Sequence, residues 1–396
     1  MRAATLTPSA PLIQGVESPN VVVNPDAFYA ATRRMRYQMQ PSKAIAGLGS
    51  TDPTQLRQTG IVAGLEIRVS GTITFGGTIT GTTMSYDWPF NLIRNLRLSA
   101  NGQSNLVQAR GLTLRTLEFV TNPKIDDTGV TATYGGTAVT QGSLRMPMDD
   151  WGTSGVNSLS PGGTVAATGA YTVDLTFYVP VAADPITLIG AVYAQSSATN
   201  LNCELDWNTQ ANLLTLGGAA TVTSALNFSI TGRVYSIPLV GGQFVVPDLS
   251  QFHQIVDNRV AGLASGTNEP LLSGTGVGRR LMRLAFQVYS GATPTPLAMN
   301  ATNFSTVGWA YGGSDVPESY PNGQLLRADN FRLCGVDVGG LWGWGWWDFA
   351  SQFALRDMVD QGQTADLRAQ IGLVASPTSG FAQLVQEVLF AAPVGA

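Results

Sequence analysis

The chain has 396 residues, of which 44% are hydrophobic and only 12% charged, with a formal net charge of −4 at pH 7. An ordinary soluble domain carries about 25% charged residues, so a surface this poor in charge points to burial against neighbouring subunits or to Gly- and Thr-rich loops. The acidic balance lacks the basic footprint of a nucleic-acid binder, and no apolar run reaches the ~18 residues of a bilayer-spanning helix. At roughly 150–200 residues per domain the length implies two domains. The 22 basic residues comprise 20 Arg and two Lys, Lys43 and Lys124. Arg suits fixed bidentate contacts at interfaces; a GC-rich genome gives the same bias.

Residues 1–24 are rich in Pro, Ser and Val and read as extended. Met1 to Gln14 lacks a basic start followed by an apolar run, so no secretion signal is expected. A helix is expected from Asn24, a capping residue, through Pro25 and Asp26 to Arg36. Residues 40–60 read as a connector. From 61 to 75 apolar residues fall at 61, 63, 65, 67, 69, 73 and 75, the period of a strand with one buried face. Strands are expected at 92–98, 171–179, 201–207 and 226–237, with a helix over 106–120. A boundary is placed near Pro238 to Gly242. Further strands are expected at 244–246, 280–289, 331–338, 341–349, 367–374 and 381–390, the last also fitting helical spacing. Two long polar segments, 123–170 and 290–328, read as loops.

The halves echo each other. Strand 173–179, a helix-like stretch at 186–193, strand 201–207 and strand 226–237 correspond to strand 341–349, a helix-like stretch at 350–359, strand 367–374 and strand 381–390. Two all-β units with short strands and long loops point to sandwiches, and eight-stranded jelly rolls are the sandwich type of viral capsids.

Residues 59–73, 89–98 and the helix through Arg115 to Val120 resemble the opening of the first jelly roll of tectivirus major capsid proteins. Residues 173–181, 187–193 and 201–208 are similar to its later strands. The second half matches more loosely, through a Trp-rich strand ending at Asp348 and Phe349. The resemblance implies an all-β fold of two eight-stranded jelly rolls side by side with a few short helices. The expected divisions are 1–58 as N-terminal arm and helix, 59–238 as first jelly roll and 239–396 as second. It further implies a homotrimer with a hexagonal footprint that tiles a virion shell with neighbouring trimers, with vertex (penton) and minor capsid proteins as further partners. The N-terminal segment would lie beneath, near an internal viral membrane, with no direct nucleic-acid contact. Removing residues 1–40 is expected to leave the trimer folded but to impair its assembly on the membrane. Synthesis is expected in the host cytoplasm.

Chemical signatures are sparse. His253 is the single histidine, so a Ser-His-Asp arrangement would have to use it, and no Gly-x-Ser-x-Gly elbow accompanies it. One His and two distant cysteines do not make a zinc site. Cys203 and Cys334 are expected as free thiols, with one disulfide as the alternative. No Gly-x-x-x-x-Gly-Lys loop is present. Neither catalysis nor a cofactor is expected. Glu204 and Asp206 share a strand face, which suits a sandwich glycosidase or a solvated face. Asp149 with Asp150, and Asp126 with Asp127, offer oxygens of the kind that hold calcium. Trp342, Trp344 and Trp346 alternate with Gly343 and Gly345, which on a strand puts the indoles on one face. That layer is a core or subunit-interface layer, or alternatively a carbohydrate-binding platform. Arg33, Arg34 and Arg36 would close the first helix, complementing its dipole or facing anionic lipid headgroups.

Overall fold

The structure, a computed structural model, describes residues 32–100, 103–121, 130–134, 137–141, 144–146, 148–151, 159–195, 200–236, 249–272, 278–311, 315–340, 342–350, 358–361 and 366–391. About 55% of it is strand and 10% helix. In chain order the first half gives β1 (Arg34–Ala44), β2 (Thr51–Gln55), β3 (Ile61–Thr78), β4 (Ile93–Ala100), β5 (Gln103–Ala109), helix α1 (Gly111–Thr121), β6 (Gly169–Pro180), β7 (Leu201–Trp207) and β8 (Ala219–Tyr235). The second half gives β9 (Gln251–Ala261), β10 (Gly266–Asn268), β11 (Arg279–Ser290), β12 (Phe304–Tyr311), β13 (Asp315–Tyr320), helix α2 (Gly323–Cys334), β14 (Trp344–Asp348), β15 (Leu367–Leu373) and β16 (Phe381–Ala391).

The sheets reveal the repeat. In the first half the strand orders are β1-β8-β3-β6 and β2-β7-β4-β5; in the second they are β9-β16-β11-β14 and β10-β15-β12-β13. Adding eight to each label of the first half gives the second, and both helices fall between the sixth strand of their half and the one before it. Each half is thus a complete jelly roll, two four-stranded sheets face to face. The rolls join edge to edge: β5 runs parallel to β9, with Val107 opposite Ile255 and Gln108 opposite Val256.

Alternation explains the strands. On β3, Leu65, Ile67, Val69, Ile73 and Phe75 point inward and are buried. With Leu96, Leu98, Leu205 and Phe228 they form the first core. The second core gathers Leu284, Phe286 and Val288 of β11 with Ile371, Leu373, Leu384 and Val388. Residues 381–390 form a strand, paired with β9 on one side and β11 on the other.

Several expectations are corrected. Arg34 to Arg36 belong to a strand rather than a helix: Met35, Tyr37 and Met39 alternate with exposed neighbours, and β1 pairs antiparallel with β8 from Arg34 opposite Tyr235 to Ala44 opposite Asn227. The helical start at 24–31 lies outside the described residues. Residues 51–55 pair with β7. Segments 34–44 and 51–55 are therefore parts of the first roll and no arm, and cutting away residues 1–40 removes paired strand. Residues 103–109 are strand, and α1 begins at Gly111. The stretch at 186–193 is a turn held by Asp184, which accepts from the Ile186 and Thr187 amides at 2.9 and 3.1 Å, followed by the strand pair Val192–Tyr193. In the later helix-like stretch 351–357 lie outside the described residues, and Val359–Asp360 pairs with β11.

Residues 331–334 of the expected strand at 331–338 are the end of α2, and 335–338 follow it as irregular chain. The Asn322 side chain accepts from the Leu325 amide, and Gly335, with φ +70°, ends the helix by donating to the Phe331 carbonyl. The segments read as loops contain a hairpin (Val130–Tyr134 with Thr137–Gln141) and β12 and β13. The boundary near 238–242 and the strand at 244–246 lie outside the described residues. Cys203 and Cys334 are both buried free thiols.

Gly345 shows how tightly the second core is filled. A Cβ there would stand 2.3 Å from the Phe286 ring edge, and Phe286 is wholly buried. Gly345→Ala is expected to cost about 1–3 kcal/mol by overpacking; chemical denaturation against the wild type measures it, and an unchanged midpoint would contradict this packing.

Candidate functional site at the seam between the rolls

The seam is polar at its centre. Arg110, at the end of β5, and Thr113, in the first turn of α1, come from the first roll. Asp257 (β9), Gln287 and Tyr289 (β11) and Gln383 (β16) come from the second. Arg110 Nε donates to Asp257 Oδ2 at 3.0 Å, Thr113 Oγ1 donates to the same oxygen at 2.5 Å, and Gln383 Nε2 donates to Oδ1 at 2.9 Å. The Asp257 carboxylate is 1% exposed, so its charge is met entirely by protein donors, as burial requires. The Arg110 guanidinium also donates to Gln287 Oε1 at 3.2 Å and to the Tyr289 hydroxyl at 3.1 Å, and that hydroxyl lies 2.8 Å from Asp87 Oδ2. Burial pushes the Asp87 carboxyl and the Tyr289 phenol upward, against the pull of Arg110.

Polar residues in the inward row of β9 explain why that strand escapes a hydrophobicity reading. His253, Ile255 and Asp257 share one buried face, so two of the three positions that signal a core are polar. His253 Nε2 lies 2.7 Å from Glu387 Oε1, Arg283 NH1 donates to Glu387 Oε2 at 2.7 Å, and Arg283 Nε faces Asp348 at 3.3 Å. Burial alone would raise Glu387, but Arg283 and then the His253 hydrogen bond outweigh it and hold the carboxyl at about 2. His253 also meets the first roll. Gly190 (φ +83°) packs on it so closely that a Cβ would lie 2.7 Å from the His253 Cβ. The single histidine thus sits in a structural ion network, and among the described residues no serine or cysteine side chain is hydrogen-bonded to it.

The tryptophans line the same seam. Trp342, Trp344 and Trp346 are 0, 0 and 2% exposed within one chain. They pack with the first core although they belong to the second roll. Trp342 precedes β14 and meets Phe90 edge-on at 5.6 Å, and Arg110 lies 5.9 Å from the Trp344 ring. On the opposite face of β14, Gly345 leaves room for Phe286, and Trp347 stacks on Phe286 at 5.6 Å. Indoles buried this way offer no sugar platform.

The other candidate residues lie apart. Glu204 is paired with Arg97; Asp206 accepts from Thr51 Oγ1 at 2.6 Å and faces Arg97 and Arg94 at 3.5 and 3.7 Å. Arginines thus meet both carboxylates of the supposed acid pair. Asp149 is buried against Arg115 NH1 at 2.8 Å. Asp126 and Asp127 lie outside the described residues. Among the described residues no group of three or more His, Cys, Asp or Glu side chains is placed to hold a metal ion. Arg33, Arg34 and Arg36 are exposed at the sheet edge, and Arg36 pairs with Glu66, which also binds Arg233.

One signal in the sequence marks the repeat. Gly-x-x-Leu-Arg-x-x-x-Phe occurs at Gly111, Leu114, Arg115 and Phe119, and again at Gly323, Leu326, Arg327 and Phe331. Each arginine binds an aspartate that follows its helix: Arg115 with Asp149, and Arg327 Nε with Asp337 at 2.8 Å.

No protein-family model matches the sequence, and no curated protein does. Solved structures match by fold. The major capsid protein of STIV, Sulfolobus Turreted Icosahedral Virus, superposes with a TM-score of 0.62 at 15% identity, covering 90% of this chain and 96% of that one. Faustovirus major capsid protein gives 0.53 at 11% identity over 96% of this chain and 92% of that one. The PBCV-1 virus capsid gives 0.52 at 12% identity over 96% and 98%. The chain has the double jelly-roll fold of these capsid proteins.

Glu387→Gln is expected to destabilise the protein by about 3–5 kcal/mol at pH 7, because it leaves Arg283 buried and under-partnered. Glu387 titrates lower folded than unfolded, so its contribution is present above the ordinary value of 4.5 and fades as pH falls toward about 2. Urea unfolding at pH 7 and pH 3 should show the gap between variant and wild type narrowing in acid. An equal gap at both would contradict the assignment.

Proposed function

We propose that this chain is the coat subunit of a viral shell. The observation that carries this reading is the exact repetition of the jelly-roll strand order in two rolls welded into one unit, over a length that superposes on viral major capsid proteins almost end to end. Rigid, charge-poor sandwiches suit assembly: the chain is 12% charged, and shell contacts bury surface that a free monomer would keep solvated. In the fuller form of this reading three chains make a trimer with six rolls and a hexagonal footprint, through an interface of the obligate class, about 2,000–5,000 Å². Trimers tile the shell of a tailless icosahedral virus around an internal membrane, with vertex and minor capsid proteins as further partners. The buried tryptophans and the arginine-paired carboxylates give no support to the carbohydrate alternative.

Light scattering on the purified chain is the test. A species near three times 41.7 kDa is expected, resistant to dilution and heat. A stable monomer of 41.7 kDa would contradict the reading.

A further inference from the structure

Part of the seam between the rolls holds more hydrogen-bond acceptors than protons. Asp87 lies in the first roll, in the turn before Pro89, and Tyr289 lies near the end of β11 in the second. The Tyr289 hydroxyl has three polar neighbours: Arg110 NH1 at 3.1 Å, Asp87 Oδ2 at 2.8 Å and Gln287 Oε1 at 2.7 Å. Arg110 can only donate, so it fills one lone pair of the hydroxyl oxygen. The other two neighbours are oxygens, and the hydroxyl has a single proton to give.

The amide decides where that proton goes. Gln287 Nε2 donates to the Trp342 carbonyl, and Gln287 Oε1 accepts from Arg110 NH2 at 3.2 Å. Turning the amide over would set its NH2 against the guanidinium and its oxygen against a carbonyl. Gln287 Oε1 therefore has no proton to offer, and Tyr289 donates to it. If Tyr289 donated to Asp87 instead, Gln287 Oε1 would face a lone pair at 2.7 Å that no proton could relieve. Tyr289 has no room to turn aside, being 1% exposed with its ring stacked on Phe381 at 4.8 Å. The 2.8 Å contact with Asp87 is then a hydrogen bond only if the carboxyl supplies the proton.

Charge balance points the same way. The charged and titratable groups that face Asp87 are Arg110 at the end of β5, Tyr289 of β11 and Asp257 of β9. Arg110 brings the one positive charge. Its Nε binds Asp257 at 3.0 Å, whereas its NH1 stands 4.0 Å from Asp87 Oδ2, beyond hydrogen-bond reach. An ionised Asp87 would give the cluster a second negative charge with no second cation. Asp87 Oδ1 is buried and has no hydrogen-bond partner among the described residues, a position far less costly for a neutral carboxyl oxygen than for a charged one.

We propose that Asp87 keeps its proton in the folded chain and donates it to Tyr289, a latch that ties the first roll to the second and loosens as pH rises. The latch belongs to the single chain and does not depend on the coat-subunit reading. Its sign is opposite to that of Glu387. Burial, the largest influence on Asp87, raises the folded carboxyl above its ordinary value of 3.8. The latch is therefore complete below that value and is lost as pH rises towards the folded one.

Asp87→Asn tests it, because the amide can donate to Tyr289 as the protonated acid does. Urea unfolding of both chains is followed from pH 3 to pH 9. The two should match in acid, and the variant should become the more stable as pH rises. The ratio of their unfolding constants should change by up to about tenfold per pH unit, as one proton requires. Comparing the chains at each pH cancels Glu387 and also Glu118, which burial raises to about 7. In infrared difference spectra, the folded wild type should keep a protonated-carboxyl stretch, absent from the variant, above the pH at which exposed carboxyls ionise. A variant less stable than the wild type at neutral pH, with the gap closing in acid, would make Asp87 an ionised partner of Arg110 and overturn the proposal. A gap that does not change with pH, a variant that fails to fold, or carboxyl spectra that coincide would overturn it as well.

Discussion

The molecule depends on one buried carboxylate. Asp257 takes donors from both rolls, and its charge is satisfied only when Arg110, Thr113 and Gln383 converge on it. Such a network adds little net stability compared with well-packed apolar residues of the same volume, yet breaking it is costly. Its value here is positional. The parallel pairing of β5 and β9 spans two residue pairs, too few to fix a register, and two smooth apolar sheets could slide. An aspartate that must meet an arginine, a threonine and a glutamine admits one register. The tryptophans then fill the seam around it, Trp344 beneath Arg110 and Trp342 against Phe90.

The repeat and its breaks carry the functional argument. The Gly-x-x-Leu-Arg-x-x-x-Phe helices are held by equivalent ion pairs, but their outer faces differ. In α1 the face is buried by the rest of the chain. In α2 it carries exposed leucine and phenylalanine.

Much of the fold was legible in the sequence, for a physical reason. β3, β6, β7, β11 and β16 bury one clean apolar row, and their alternation gives strand limits within a few residues. β9 escapes the alternation signal because its inward row is His253, Ile255 and Asp257, polar for the sake of the seam. The first residues of β1, Arg34 to Arg36, read as the end of a helix because Asn24, Pro25 and Asp26 suit a helix start, while the alternation of Met35, Tyr37 and Met39 is short. The end of α2 reads as a strand because Phe331 and Leu333 alternate with Arg332; both are exposed, so that alternation reports an outer surface and no sheet face. Trp342, Trp344 and Trp346 were legible as a layer, but which partner they face depends on how two rolls dock. Proximity across the seam, such as Arg110 to Asp257, joins residues 147 apart and leaves no local trace.

The dependence of the molecule on Asp257 is tested most directly by chemical denaturation of Asp257→Ala, which leaves Arg110 buried without its carboxylate. A loss of about 3–5 kcal/mol of stability is expected. An unfolding midpoint equal to that of the wild type would contradict it.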